Sequence, residues 1–270
     1  DELNHASIID GARLSRAKIK VFRHKDVAHC EEILQEIANE PGRKLVITDG
    51  VFSMDGDIGP VGKLADLCDR YGAIMMVDDA HASGVLGRNG RGSVDHFGCT
   101  QRVDVQVGTL SKAIGALGGY VCGSRDLIDY LYHRARPFLF STSHPPAVAA
   151  ACMAAFDLLE SEPDRIQRLW DNTKYFQEQL RTAGFNIGGQ TTPATETPIT
   201  PIIVGEGRKA MEFSRALFDK GVMATGIAFP TVQEGKARIR CIMTSEHTRE
   251  QIDTALEVLT TTARQLALLQ

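Results

Sequence analysis

Ile74-Met75-Met76-Val77-Asp78-Asp79-Ala80-His81 runs four apolar residues straight into two carboxylates and a histidine. An apolar run of this length without polar alternation reads as a strand buried on both faces, the habit of parallel sheets. Ligands of open α/β sheets collect outside the carboxyl ends of the strands, and Asp78 and His81 stand at such an end. The ordinary alternative for Asp78 is a turn or helix-capping residue. A magnesium pair is disfavoured, because neighbouring strand residues point to opposite faces. No metal site is expected.

A second stretch follows about thirty residues later: Gly108-Thr109-Leu110-Ser111-Lys112, then small residues up to Gly118-Gly119-Tyr120. It closes another apolar run, Val103-Asp104-Val105-Gln106-Val107. A lysine among small residues at a strand end is expected to lose hydration, which disfavours its ammonium and frees its amine as a nucleophile. Schiff-base chemistry with an aldehyde cofactor needs such an amine. A phosphate-binding Gly-x4-Gly-Lys-Ser/Thr loop does not fit, since Lys112 precedes its glycines. Alone, Ser-Lys would be an ordinary surface pair. With Asp78 upstream, the two stretches point to pyridoxal phosphate (PLP): Lys112 for its aldehyde, and Asp78 for its ring nitrogen, which keeps the ring able to accept electrons.

Seven ordered motifs carry a family resemblance along nearly the whole chain. They are Leu3-Asn4-His5 through Gly11, Thr48-Asp49 through Asp57, Val77 through His81, Thr109 through Lys112, Arg136 through Pro146, Phe229-Pro230-Thr231-Val232, and Ala237-Arg238-Ile239-Arg240. The chain resembles the α-oxoamine synthases, fold-type I PLP enzymes that condense an amino acid with an acyl-CoA. The resemblance implies an α/β fold with a mostly parallel sheet in a large domain, and a smaller C-terminal α/β domain. It implies that Lys112 carries the cofactor and removes the substrate Cα proton. It also implies that Asp78 pairs with the ring nitrogen, His81 bonds the ring oxygen, and His5 stacks on the ring. Ser53 would lie close to the cofactor, Thr109 would contact its phosphate, and Thr142 would reach the phosphate of a neighbouring subunit, making a homodimer with a shared site. Arg240 would bind the amino-acid carboxylate, since a guanidinium meets a carboxylate bidentately. Arg238 lies two residues earlier on the same strand face, and local physics alone does not choose between them. His144 and Thr231 are candidates for the acyl-CoA side.

Within the family the resemblance ranks glycine C-acetyltransferases first, which join glycine and acetyl-CoA into 2-amino-3-ketobutyrate. The ranking rests on Asp49, a position often occupied by glutamate in the 8-amino-7-oxononanoate synthases, which use alanine and pimeloyl-CoA. Turn chemistry beside Gly50 is the plain alternative for Asp49. A non-catalytic partner subunit is a further alternative, opposed by the joint presence of Lys112, Asp78, His81 and Arg240. Family members also carry an N-terminal segment whose backbone amides cradle the cofactor phosphate. It does not appear here, so the chain reads as a fragment.

The 270 residues suffice for a large domain and part of another. A net charge of −4 with scattered basic residues argues against nucleic acid or a polybasic membrane patch. No apolar run approaches the ~20 residues of a membrane span, and the start lacks a signal-peptide pattern. Six widely spaced cysteines, without a Cys-x-x-Cys pair, favour buried free thiols. The expectation is a cytoplasmic enzyme.

Strands are expected at residues 45–48, 74–77, 103–107 and 120–122, with a helix over 60–71. Long helices follow over 147–160 and from Pro163 to about 182. A polar, Thr-rich stretch (190–200) precedes a smaller unit: strand 202–204, helix 209–220, strands 221–224 and 237–243, and a closing helix 248–269. The expected division is a PLP-binding domain over 1–165 and a small domain over 166–270.

Overall fold

The structure, a computed structural model, describes residues 1–188 and 196–269. Most of the Thr-rich stretch therefore lies outside the described residues. The chain divides into two compact units: Asp1–Phe52 with Ile58–Pro163, and Ser53–Asp57 with the chain from Asp164 onward.

The first unit is built on a four-stranded sheet, β1 (Leu45–Asp49), β2 (Ile74–Asp78), β3 (Val105–Thr109) and β4 (Gly119–Gly123), in that order. The first three strands are parallel and β4 is antiparallel to β3. Helix α1 (Ala6–Ser15) starts at His5, and α2 (Val27–Glu36) is capped by the Asp26 side chain on His29 N. Between β1 and β2, helix α3 (Val61–Tyr71) buries Val61, Leu64, Ala65 and Cys68, the spacing of one helical face. That face meets Val46, Met75 and Val77 in one core cluster. Gly72 ends α3 in the left-handed conformation, at φ 59°. On β2 only Met75 and Val77 are fully buried, and Ile74, Met76 and Asp78 are half-buried. The strand expected to be buried on both faces is therefore fully buried on one.

Beyond the sheet come α4 (Ser93–His96), α5 (Arg125–Arg134), α6 (Arg136–Leu139) and α7 (Pro146–Ser161). Helix α7 is apolar over most of its surface, yet only Cys152 is buried, while Met153 and Phe156 are exposed. Phe140 is 77% exposed. Five cysteines are buried and free, as expected; Cys122, on β4, is exposed.

The second unit has an antiparallel sheet in the order β5 (Ile199–Gly205), β7 (Ala237–Ile242), β6 (Thr225–Ile227). Helices α8 (Asp164–Thr182), α9 (Gly207–Asp219) and α10 (Arg249–Gln265) surround a core that contains Phe176, Phe213, Leu217, Ile239 and Leu259. Thr248 and Gln251 form a reciprocal capping box at the start of α10. The strand expected at 221–224 forms later, at 225–227. Gly221 takes φ 86° and the Val222 amide bonds back to Leu217 O, so these residues terminate α9 instead.

Leu64 is fully enclosed between α3 and the sheet. Leu64→Ala should lower the unfolding free energy of the first unit by about 2–5 kcal/mol, read as a lower urea midpoint at unchanged slope.

Candidate active site

The carboxyl edge of the first sheet places two acids side by side. Parallel pairing sets Asp49 opposite Asp78, and Asp78 opposite Val107. Asp49 is buried at 5% exposure, whereas Asp78 is half-buried. One Asp78 oxygen accepts from Ala80 N at 2.9 Å, closing the turn after β2. The chain then turns through His81, with Ala82 and Ser83 amides bonded to Asp79 O, and His81 stands half-buried beyond Asp78.

Asp49 accepts the His5 amide proton at 3.3 Å, across 44 residues of sequence. Burial, and next the charge of Asp78, push its carboxyl up to about 7; the His5 amide and the Lys112 charge act in the opposite direction. Asp78, the His5 amide and Lys112 thus each act on Asp49. His5 itself is exposed and caps α1, its ring nitrogen 2.8 Å from Ser7 Oγ.

Asp79 is different. It is fully buried and accepts from Ser93 N at 3.0 Å, Ser93 Oγ at 2.5 Å and Gln106 Nε2 at 2.6 Å. Those donors tie β2 and β3 to the start of α4, a structural task.

Lys112 sits in the loop between β3 and β4. The loop is closed by Leu110 N to Gly118 O and Ala116 N to Leu110 O, while Thr109 Oγ1 bonds Gly118 O at 3.1 Å. The lysine is exposed. The expected loss of hydration is therefore not produced by this loop, whose small residues leave the side chain open to water. Gly118, at φ 107°, has the His144 ring against it: a Cβ there would fall 2.2 Å from Nε2. His144 thus brings the segment after α6, with exposed Thr142, to the lysine loop.

In the second unit, Ser53–Asp57 is held by β7 and its neighbours. Arg238 is 4% exposed and donates to Met54 O at 2.9 Å, Asp55 Oδ1 at 2.7 Å and Lys236 O at 3.1 Å. Thr197 Oγ1 donates to Gly56 O at 2.7 Å. Arg240 donates to Ser53 O at 3.2 Å, and its buried Nε has no partner among the described residues. This separates the two arginines. Arg238 is occupied by the chain itself, while Arg240 keeps donors to offer. Thr231 is exposed.

Residues 1–259 match the model of aminotransferase class I and II. The chain belongs to that family. It is 57% identical over 269 residues to an 8-amino-7-oxononanoate synthase of Symbiobacterium thermophilum, and 56% identical over the same length to 8-amino-7-oxononanoate synthase 1 of Bacillus subtilis. All of this chain and 67% of each relative are covered. A serine palmitoyltransferase solved with its PLP internal aldimine superposes with a TM-score of 0.93 at 31% identity, over 99% of this chain and 66% of that one. The chain thus spans about two thirds of the length of the proteins it matches. The α-oxoamine synthase resemblance and the fold-type I architecture stand on these matches.

Within the family frame the residues suit a PLP group. Asp78, half-buried at the sheet edge with one oxygen spent on its turn, could hold a protonated ring nitrogen. The exposed Lys112 amine can reach a carbonyl partner, and the unpaired Arg240 Nε suits a carboxylate. Among the described residues no cluster of side chains could hold a metal ion, and no helix is long and apolar enough to cross a membrane.

Sequence reading treated Asp49 only as a turn residue and a substrate marker. The signal was present: Leu45-Val46-Ile47-Thr48-Asp49 ends in an acid as β2 does.

Two outcomes follow from these environments. Asp55→Ala strips Arg238 of its ion partner and should cost about 1–3 kcal/mol in denaturant unfolding, discounted because Asp55 is 40% exposed. The raised Asp49 carboxyl means that the folded chain binds more protons than the unfolded chain between about pH 4 and 7. Its stabilising contribution is complete below that window and is lost as pH rises through it. Asp49→Asn should accordingly flatten the decline in melting temperature across the window and melt higher than the parent at pH 8, measured without cofactor.

Proposed function

We propose that the protein containing this chain is a PLP-dependent 8-amino-7-oxononanoate synthase, joining alanine to pimeloyl-CoA with release of CoA and CO2. The observation that carries this reading is 57% identity along the whole chain to a protein of that name. It displaces the ranking of glycine C-acetyltransferase first, which rested on Asp49 and has no support among these relatives.

PLP, when bound, supplies an electron-accepting ring that delocalises the charge left when a proton leaves the substrate Cα. The residues around it have separable tasks. Asp78, at the sheet edge, would accept the ring N–H and so favour a proton on the ring nitrogen. His5 would cover the ring and His81 would bond its oxygen; Thr109 would contact the phosphate, and Ser53 is assigned to the cofactor's surroundings by the family motif. Arg240 binds the amino-acid carboxylate through the donors the chain leaves unused, which orients the Cα–H bond. The Lys112 amine holds the cofactor, takes the Cα proton as a base, and returns a proton to the product carbon after CO2 has left.

Thr142 and the exposed apolar surface of α5 to α7 support a homodimer whose partner completes the site. The large-domain and small-domain roles are proposed for the first and second units respectively. A cytoplasmic location suits five buried free thiols.

Steady-state turnover by the full-length protein tests the substrates. Alanine with pimeloyl-CoA should exceed glycine with acetyl-CoA by about tenfold or more in kcat/KM, a difference of at least ~1.4 kcal/mol in the barrier. The reverse preference would restore the acetyltransferase reading. Lys112→Ala should lower kcat by roughly a thousandfold or more, the scale of losing an essential base and covalent anchor. Borohydride should then no longer fix cofactor to the protein, although PLP still binds; near-normal turnover would remove Lys112 from the mechanism.

A further inference from the structure

We infer that Asp49 is a positioning residue of this site: it anchors the His5 main chain to the end of β1, acts on Lys112 through its charge, and leaves Asp78 to face the ligand. The inference rests on the PLP reading above.

The geometry gives Asp49 a place unlike that of either neighbouring acid. Asp79 is satisfied by three donors and belongs to the structural frame. Asp78 is half-buried and spends one oxygen on its turn, so it retains accepting capacity toward a ligand. Asp49 lies deeper, level with Asp78 across parallel strands, and the hydrogen bond donated to its side chain comes from His5 N. The ligand side is therefore presented by Asp78, and Asp49 acts through two neighbours. Through its hydrogen bond it fixes where α1 begins and hence where the His5 ring can stand. Through its charge state it governs the field at the edge, because two carboxylates this close in a poorly hydrated place do not ionise independently.

The groups facing Asp49 are Asp78 from β2, the His5 amide at the start of α1, the Lys112 ammonium from the β3–β4 loop, and the Asp1 amine. Burial and Asp78 outweigh the others, so Asp49 holds its proton at mildly acidic pH and releases it near neutrality. Its anion, once formed, lies within reach of Lys112 and favours a proton on that nitrogen. Removing the ionisable group must then make the Lys112 nitrogen release its proton at lower pH.

The test uses full-length protein loaded with PLP. The cofactor's visible absorbance is titrated from pH 5 to 10 in the parent, Asp49→Asn and Asp49→Glu. Asp49→Asn should keep PLP bound and move the midpoint of the band's titration to lower pH by about half a unit or more. Asp49→Glu retains the charge and should return the midpoint toward the parent. A midpoint in Asp49→Asn that superimposes on the parent overturns the inference and leaves the cofactor reading intact. Loss of PLP from Asp49→Asn also overturns it, since a neutral side chain of the same shape should suffice. A parent protein that develops no visible band with PLP overturns the cofactor reading, and the inference falls with it.

Discussion

Parallel pairing of β1 with β2 is the constraint on which the site depends. It sets Leu45 against Ile74 and, four residues on, Asp49 against Asp78. Strand residues in register share a face, so the two carboxylates meet at the same edge by geometry alone. One residue of slip would turn a carboxylate onto the α3 side, among Val46, Met75 and Val77, where an acid would lose its hydration without compensation. Core packing therefore enforces the register, and the register assembles the acids. Apolar burial beneath the edge holds it in place, with the two acids side by side above it.

The loop that carries Lys112 shows the complementary strategy. Its backbone is tied at Leu110, Ala116 and Gly118, and Thr109 adds a side-chain bond to Gly118 O. The lysine is thus displayed from a fixed frame but is not enclosed. The matching proteins are about one and a half times as long as this chain, and α7 exposes Met153 and Phe156. In the second unit the same division of labour recurs in Arg238 and Arg240. One arginine is consumed in holding Ser53–Asp57, and its neighbour keeps a buried donor unpaired. A buried donor without a partner among the described residues costs free energy, which fits the carboxylate-binding role proposed for Arg240.

The substrate reading turned on a different kind of information. Asp49 was the residue that favoured glycine and acetyl-CoA, and 57% identity along the chain to an 8-amino-7-oxononanoate synthase outweighs it. The structure suggests why a single residue misled. Asp49 is buried and bonded to His5, a setting that concerns the orientation of the site more directly than the choice of acyl chain.

Much of the fold was legible in local sequence. The apolar runs at 45–48 and 74–77 marked β1 and β2, and the helices expected over 60–71 and 248–269 formed as α3 and α10 with shifted ends. These signals are short-range, because capping and amphipathic spacing are written within a few residues. The placement of β6 failed for the same reason: Gly221 and Val222 read as strand, but their amides are taken by the end of α9. By itself the sequence determined the elements, the family, and the chemical types at the site. Only the tertiary structure decided that Asp49 faces Asp78 and His5, that Lys112 stands exposed, and that Arg238 is spent while Arg240 is not. Register, burial and hydrogen-bond competition sum contacts between residues tens to hundreds of positions apart, and no local pattern encodes that sum.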